Sequence, residues 1–310
     1  MNLRSSCDSL WRKRLDGLAA AWPEFLRGDP KALHKVRIAS RRIREALPIV
    51  AAGARPSKVR KLHRKVREIT RQLGPVRDLD VKLGMIEKDD TSGAPHRRAL
   101  AIVRREVTSR RRALREQLTK HDVADVDRLI KKLGRISETG GKEPEAWRVA
   151  LAARMLRRSK QLKSAVDDTG QLYVPEPIHA VRIATKKLRY VLEIADEAGF
   201  VSVRSTVRAL QRHQEQLGRL QDLRSLLHQV RDVESSSEGG ARLAELTAYA
   251  ESIEQESHRL HAEFVGEREA LLKLTKEIRE RLVPAVTTQR LKPARVTTTR
   301  ARAGGRFRAG

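Results

Sequence analysis

The chain has 310 residues, room for one large or two ordinary domains, and is 39% hydrophobic, 34% charged and 3% aromatic. Its 66 Lys and Arg against 39 Asp and Glu leave a net charge of +27, which calls for a polyanionic partner: nucleic acid, an anionic membrane or an inorganic polyphosphate. The single cysteine, Cys7, excludes an intramolecular disulfide and thiolate metal clusters.

Residues 6–27 have helical apolar spacing, with Leu10, Trp11, Leu15, Leu18, Trp22, Phe25 and Leu26 recurring at threes and fours. Asp29-Pro30 is a start signal, Asp as N-cap and Pro at the first helical position. The helix it opens runs to about Ala52, where Gly53 and Pro56 stop it. A third helix begins near Ser57, is interrupted at Gly74-Pro75, resumes around Arg77 and fades near Asp89. Thr91 to Pro95 reads as a turn, and a fourth helix covers about His96–Gly134 with a bend near His121.

Ser137-Glu-Thr-Gly-Gly-Lys142 is the best linker. After it the order repeats. A helix from about Pro144 to Asp168 is followed by a loop through Pro177, and then by a helix ending at Gly199. The next starts near Ser202, breaks around Gly218 and ends near Ser235; a long final helix spans Ala241–Leu282. No period-2 strand is visible. Four helices with short turns, twice, predict two antiparallel four-helix bundles. The expected division is 1–136, a linker at 137–143, 144–283, and a disordered basic tail at 284–310. The tail carries seven cations and no acid, yet without them the chain keeps +20. No run approaches the roughly 20 apolar residues of a membrane span. The start, Met1-Asn-Leu-Arg-Ser-Ser6, lacks the apolar stretch of a secretory signal, so a soluble cytoplasmic protein is the simplest expectation.

The repetition extends to the residues themselves. His34-Lys-Val-Arg37-Ile-Ala-Ser-Arg41-Arg42-Ile-Arg44 matches His179-Ala-Val-Arg182-Ile-Ala-Thr-Lys186-Lys187-Leu-Arg189. Gln72-Leu-Gly74-Pro-Val-Arg77-Asp78-Leu79 then matches Gln216-Leu-Gly218-Arg-Leu-Gln221-Asp222-Leu223. At about 100° per residue, His34, Arg37, Arg41 and Arg44 fall within about 80° of one another. Val36, Ala39, Ile43, Leu47 and Val50 take nearly the opposite side. In the second copy His179, Arg182, Lys186 and Arg189 share a face opposite Val181, Ala184, Leu188 and Leu192. The apolar stripe packs inward, so the cationic stripe faces solvent or a cavity that holds an anion.

Like charges at i,i+4 repel by a few tenths of a kcal/mol per pair, and neither stripe contains an acid. One such stripe reads as an ordinary solvated helix face; two with matched histidines argue for a ligand. Phosphates fit, because Arg grips phosphate oxygens bidentately while Lys and imidazolium donate as cations. A histidine beside phosphates would have its pKa raised. Arg60, Arg64, Arg67 and Arg71 form a further stripe, and Arg64 aligns with Arg208; Arg60, Arg64 and Arg208 are expected as second-tier contacts. Asp78 and Asp222 read as helix caps or Arg partners rather than catalytic acids. His258 and His261 read as surface residues.

No Walker A loop, GxGxxG, HExxH or Glu-x-Glu-x-Lys strand is present. No metal site, cofactor or catalytic residue is therefore assigned, and the expectation is a protein that is not an enzyme.

The duplicated H-x2-R-x3-[RK]-[RK]-x-R helix, each followed by an LG-x3-D segment, resembles the CHAD family, the conserved histidine α-helical domain, over residues 5–283. That resemblance implies two four-helix bundles about a pseudo-twofold axis with a basic central groove or pore. It also implies binding of inorganic polyphosphate and, in some relatives, association with polyphosphate or polyhydroxyalkanoate granules. The family's basic positions fall on His34, Arg37, Arg41, Arg42 and Arg44, and on His179, Arg182, Lys186, Lys187 and Arg189, with Arg42 and Lys187 bordering the groove. The alternative is a nucleic-acid or nucleoid-associated protein, against which stands the lack of aromatics among the basic stripes. A polyphosphate hydrolase is a third possibility that would need carboxylates beside the stripes.

Overall fold

The computed structural model describes residues 3–91, 96–118, 123–139, 144–236 and 240–288. Among the described residues eleven α-helical segments follow one another: α1 Leu3–Leu26, α2 Pro30–Val50, α3 Pro56–Gln72, α4 Gly74–Thr91, α5 Arg97–Leu118, α6 Val123–Thr139, α7 Pro144–Asp167, α8 Pro175–Glu197, α9 Arg204–Ser235, α10 Ala241–Glu277 and α11 Val283–Thr288. A π-helical turn, Ile278–Leu282, joins the last two. The fold is all-α, and no strand occurs among the described residues.

The punctuation acts through local chemistry. Asp29 caps α2, its side chain accepting from the Lys31 N–H at 2.8 Å, with Pro30 in the first turn. Gly53 (φ +88°) and Gly199 (φ +75°) follow the ends of α2 and α8 in the left-handed region that other residues avoid.

The interruption expected at Gly74-Pro75 divides α3 from α4 one residue earlier, at Leu73, and α4 opens on Gly74 rather than near Arg77. Its counterpart at Gly218 is absent, because α9 runs unbroken through that glycine. Arg219 stands where the first copy has Pro75 and so retains the backbone N–H that proline lacks. The helix expected over His96–Gly134 is described as α5 up to Leu118 and as α6 from Val123; residues 119–122 between them, including the expected bend at His121, lie outside the described residues.

Two expected boundaries move. Ser137–Thr139 of the linker complete α6, while 140–143 lie outside the described residues. The start of the tail expected from Pro284 is helical: Val283–Thr288 forms α11 on α7 with Val286 fully buried. Proline costs a helix little in its first turn, and the Thr287 and Thr288 hydroxyls bond back to the Pro284 carbonyl at 2.8 and 2.9 Å. Residues 289–310, and most of the 92–95 turn call, lie outside the described residues.

Within the first half α1 packs on α2, α2 on α3 and α4 on α5; within the second, α7 on α8, α8 on α9 and α9 on α10. Between halves α2 meets α7 and α8, α4 meets α9, and α5 meets α10. Buried side chains of both halves form one continuous hydrophobic cluster, to which the apolar stripes of α2 and α8 contribute Val36, Ile43, Leu47, Val181, Leu188 and Leu192. Polar latches tie the halves as well. Tyr249 Oη donates to Asp89 at 2.8 Å, and Glu245 Oε2 accepts from the Arg98 and Ala99 N–H groups at the start of α5. No described helix is long and apolar enough to cross a membrane. His261, expected at the surface, is buried; its ring and that of His258 flank Tyr173 at centroid distances of 5.2 and 5.4 Å.

Candidate functional site

Packing α2 on α8 turns the two cationic stripes toward one space. A cavity of about 430 Å³ is walled by Arg37, Arg41, Arg44 and Glu45 of α2, Thr70 of α3 and Asp78 of α4. From the second half come His179, Arg182, Ile183, Lys186, Lys187 and Tyr190 of α8, and Gln221 of α9. Seven of the ten stripe residues thus line one cavity, contributed by both copies of the repeat.

The other three are placed differently. His34 is exposed, outside the wall and beside Arg77. Arg42 turns toward Glu193 at 3.9 Å. Arg189, 8% exposed, is bound by Glu193 and by Gln214 Oε1 at 2.9 Å, and its guanidinium lies over the Tyr190 ring. It is a structural ion pair, made possible because Glu193 sits one turn further along the helix, outside the motif itself. Of the second-tier residues, Arg60 and Arg64 are exposed on α3. Arg208 lines a separate cavity of about 410 Å³ among Glu193, Asp196, Glu197 and Arg204. None of the three lines the cationic cavity.

The break between α3 and α4 shapes the first half of the site. Arg37 Nη1 donates to the Thr70 carbonyl at 3.1 Å, near the end of α3. In the second half, where α9 is continuous, Arg182 instead faces the Asp222 carboxylate. Burial raises the Asp222 carboxyl above its ordinary range, while Arg182 pulls it down and Asp78 pushes it up. Asp78 and Asp222 both lie inside helices and are not caps. Asp78 pairs with Lys82 at 3.7 Å and accepts from Ser225 Oγ at 2.7 Å.

The repeat also explains the two histidines. His179 Nδ1 lies 2.5 Å from Gln221 Oε1. The matched position in the first copy is Arg77, which cannot accept a hydrogen bond and repels a proton on His34. Burial, then Arg77, Arg37 and Arg41, hold the His34 pKa below the ordinary imidazole value; the sequence argument for a raised value applies to a phosphate-bound state.

The electrostatics of the cavity are one-sided. Burial, then Arg41 and Arg77, bring Arg37 down to about 10. Burial, then Arg182, Arg41, Arg37 and Arg189, bring Lys186 down to about 6. Burial is likewise the main cause of the lowered values of Arg44, Arg182 and Lys187. Among the described residues, Arg37, Arg41, Arg44, Arg182, Lys186 and Lys187 have no carboxylate within ion-pair distance. The Nε atoms of Arg44 and Arg182 are buried without a hydrogen-bond partner. Glu45, on the wall, is already gripped by Arg154 at 2.8 Å and Arg158 at 3.0 Å from α7. Clustered, desolvated cations with no carboxylate at ion-pair distance are costly for a fold to hold, and an anion bridging them removes that cost.

Thr70, Glu45, Ile183, Tyr190 and Gln221 escaped the sequence reading as wall residues. Gln221 was within its reach, because it occupies the matched position of Arg77 in the second repeated segment. Among the described residues no group of three or more His, Cys, Asp or Glu side chains is arranged to hold a metal ion.

The CHAD domain family model matches residues 9–231. Among solved structures the chain is similar to the crystal structure of the CHAD domain from the plant Ricinus communis, with a TM-score of 0.59 and 22% identity over 94% of this chain and 93% of that one. It is also similar to PptA from Streptomyces chartreusis, with a TM-score of 0.60 and 16% identity over 89% of this chain and 98% of that one. At such identities the likeness is one of fold. No curated protein matches the chain.

Proposed function

The chain belongs to the CHAD domain family, and from that premise we propose that its central cavity binds inorganic polyphosphate without cleaving it and recruits the protein to polyphosphate granules. The observation that carries this reading is the convergence of six arginine and lysine side chains and one histidine, from both copies of the repeat, on one cavity of about 430 Å³. Family membership adds a general relation to polyphosphate. A linear polymer with about one charge per phosphate suits such a site: each arginine can take two oxygens, and released counterions supply affinity.

The non-catalytic part of the reading is supported by the state of the carboxylates on the wall. Glu45 is held by two arginines, and Asp78 by Lys82 and Ser225. Neither is left free to carry a metal-bound water. Incubation of the full-length protein with long-chain polyphosphate and Mg²⁺ or Mn²⁺, followed on a sizing gel, is expected to give a retarded polymer of unchanged length. Progressive shortening with time would contradict the non-catalytic reading.

A further inference from the structure

We propose that Lys186 is a covalent acylation site, at which acyl phosphates are captured by the surrounding guanidinium groups and transfer their acyl group to the lysine amine. The proposal rests on the reading of the cavity as a phosphate site and adds a second chemistry to it.

The geometry has three parts. Lys186 lines the cavity with Arg37, Arg41 and Arg182, so a phosphate held there lies beside its amine. Among the described residues no carboxylate stands within ion-pair distance of that amine. Lys35 shows the opposite arrangement: its ammonium is 2.9 Å from Glu24, which raises its pKa. Ile183 and Tyr190 give the same wall an apolar stretch, against which a short acyl chain can lie.

The depressed pKa of Lys186, about 6, supports the geometry. With no anion bound, most of this amine is free base near neutral pH. A single acyl phosphate carries less charge than a polyphosphate chain and leaves a fraction of it in that form, which carries a nucleophilic lone pair. In the transfer step that lone pair attacks the carbonyl carbon. The C–N bond forms and the bond from carbon to the phosphate oxygen breaks, its electron pair leaving with the oxygen. The surplus amine proton passes to the departing phosphate, so the products are an amide and inorganic phosphate, with no change in oxidation state. The amide can no longer take up a proton, and a phosphate chain in the cavity loses one cation.

Acetyl phosphate is the probe, used on the full-length protein at neutral pH with sites quantified by peptide mass spectrometry. Lys186 is expected to be acetylated at least about tenfold faster than the exposed Lys58 and Lys160. Tripolyphosphate should suppress the reaction, Arg41→Gln should slow it, and p-nitrophenyl acetate, which carries no phosphate, should show less preference for Lys186. A rate at Lys186 no greater than at Lys58 and Lys160, or equal preference with both donors, would overturn the proposal. A polyphosphate titration of the same sample separates the two claims. Retained binding without selective acetylation defeats the acylation site alone, whereas loss of both defeats the cavity reading with it.

Discussion

Replacing Arg37, Arg41, Arg182 and Lys186 together by alanine is expected to lower polyphosphate affinity at least about 1,000-fold. That figure takes roughly 1.5 kcal/mol for each charge-assisted hydrogen bond and allows for non-additivity among neighbours. The helical content should be unchanged and the melting temperature equal or higher. The four groups repel one another across the cavity, and among the described residues none has a carboxylate within ion-pair distance. Among the described residues, Arg37 is the member of the four that gives up a hydrogen bond within the fold, that to the Thr70 carbonyl. The comparison is a second quadruple variant at the exposed Arg97, Arg105, Arg157 and Arg212, which removes arginine charge far more from the open surface than from the cavity. It should lose less than about tenfold, the share of affinity owed to general screening by surface charge. Equal losses in the two variants, with unchanged circular dichroism, would mean that the cavity is not the site.

The second large effect concerns Lys186 alone. Its folded-state pKa of about 6 lies well below the ordinary lysine value, with burial as the first cause and the arginines as the second. The unfolded chain therefore binds more protons than the folded one between about pH 6 and the ordinary lysine range. Over that window stability rises with pH, and the penalty for the buried charge is fully present below it. Lys186→Met should stabilise the protein on the order of a few kcal/mol at pH 6 and below, and progressively less as the pH rises toward 10. Urea melts of both proteins across that range test this; a difference in stability that is flat with pH would contradict it. The same shift makes ligand binding proton-linked. A polyanion in the cavity restores the charge of Lys186, so binding near pH 7.5 should take up close to one proton. Titration calorimetry in buffers of different ionisation enthalpy reads that uptake directly, and Lys186→Met should abolish it.

The fold was largely legible in the sequence because helix boundaries here are set by local chemistry. Asp29-Pro30, Gly53 and Gly199 act within a few residues of themselves. Where the reading failed, a glycine was asked to do what its neighbour does. Gly74 opens a new helix after a break at Leu73 because Pro75 follows it, whereas Gly218 leaves α9 intact. The helical start of the tail was invisible for a different reason, since Val286 is held by burial against a distant helix and not by any signal of its own.

The site divides in the same way. Spacing on one helix puts Arg37, Arg41, Arg182 and Lys186 on a face, and periodicity alone yields that. Whether a cation on the face is free depends on what other helices bring to it. Glu193 takes Arg189 and Arg42, and Glu45 is taken by arginines of α7. Glu193 lies one helical turn past the motif, and the other pairings join residues far apart in the chain, beyond what spacing within one stripe can reveal.

The most direct test of the central claim is a competition titration of long-chain polyphosphate against duplex DNA at matched phosphate concentration. It should use the full-length chain at two salt concentrations, with a variant whose seven cations at Arg290 to Arg308 are replaced by glutamine run in parallel. Selective, tight polyphosphate binding that survives loss of the tail charges and disappears in the Arg37, Arg41, Arg182 and Lys186 quadruple variant is the predicted result. Binding of duplex DNA as tight as, or tighter than, that of polyphosphate would contradict it and make the chain a general anion binder, with nucleic acid as its leading partner.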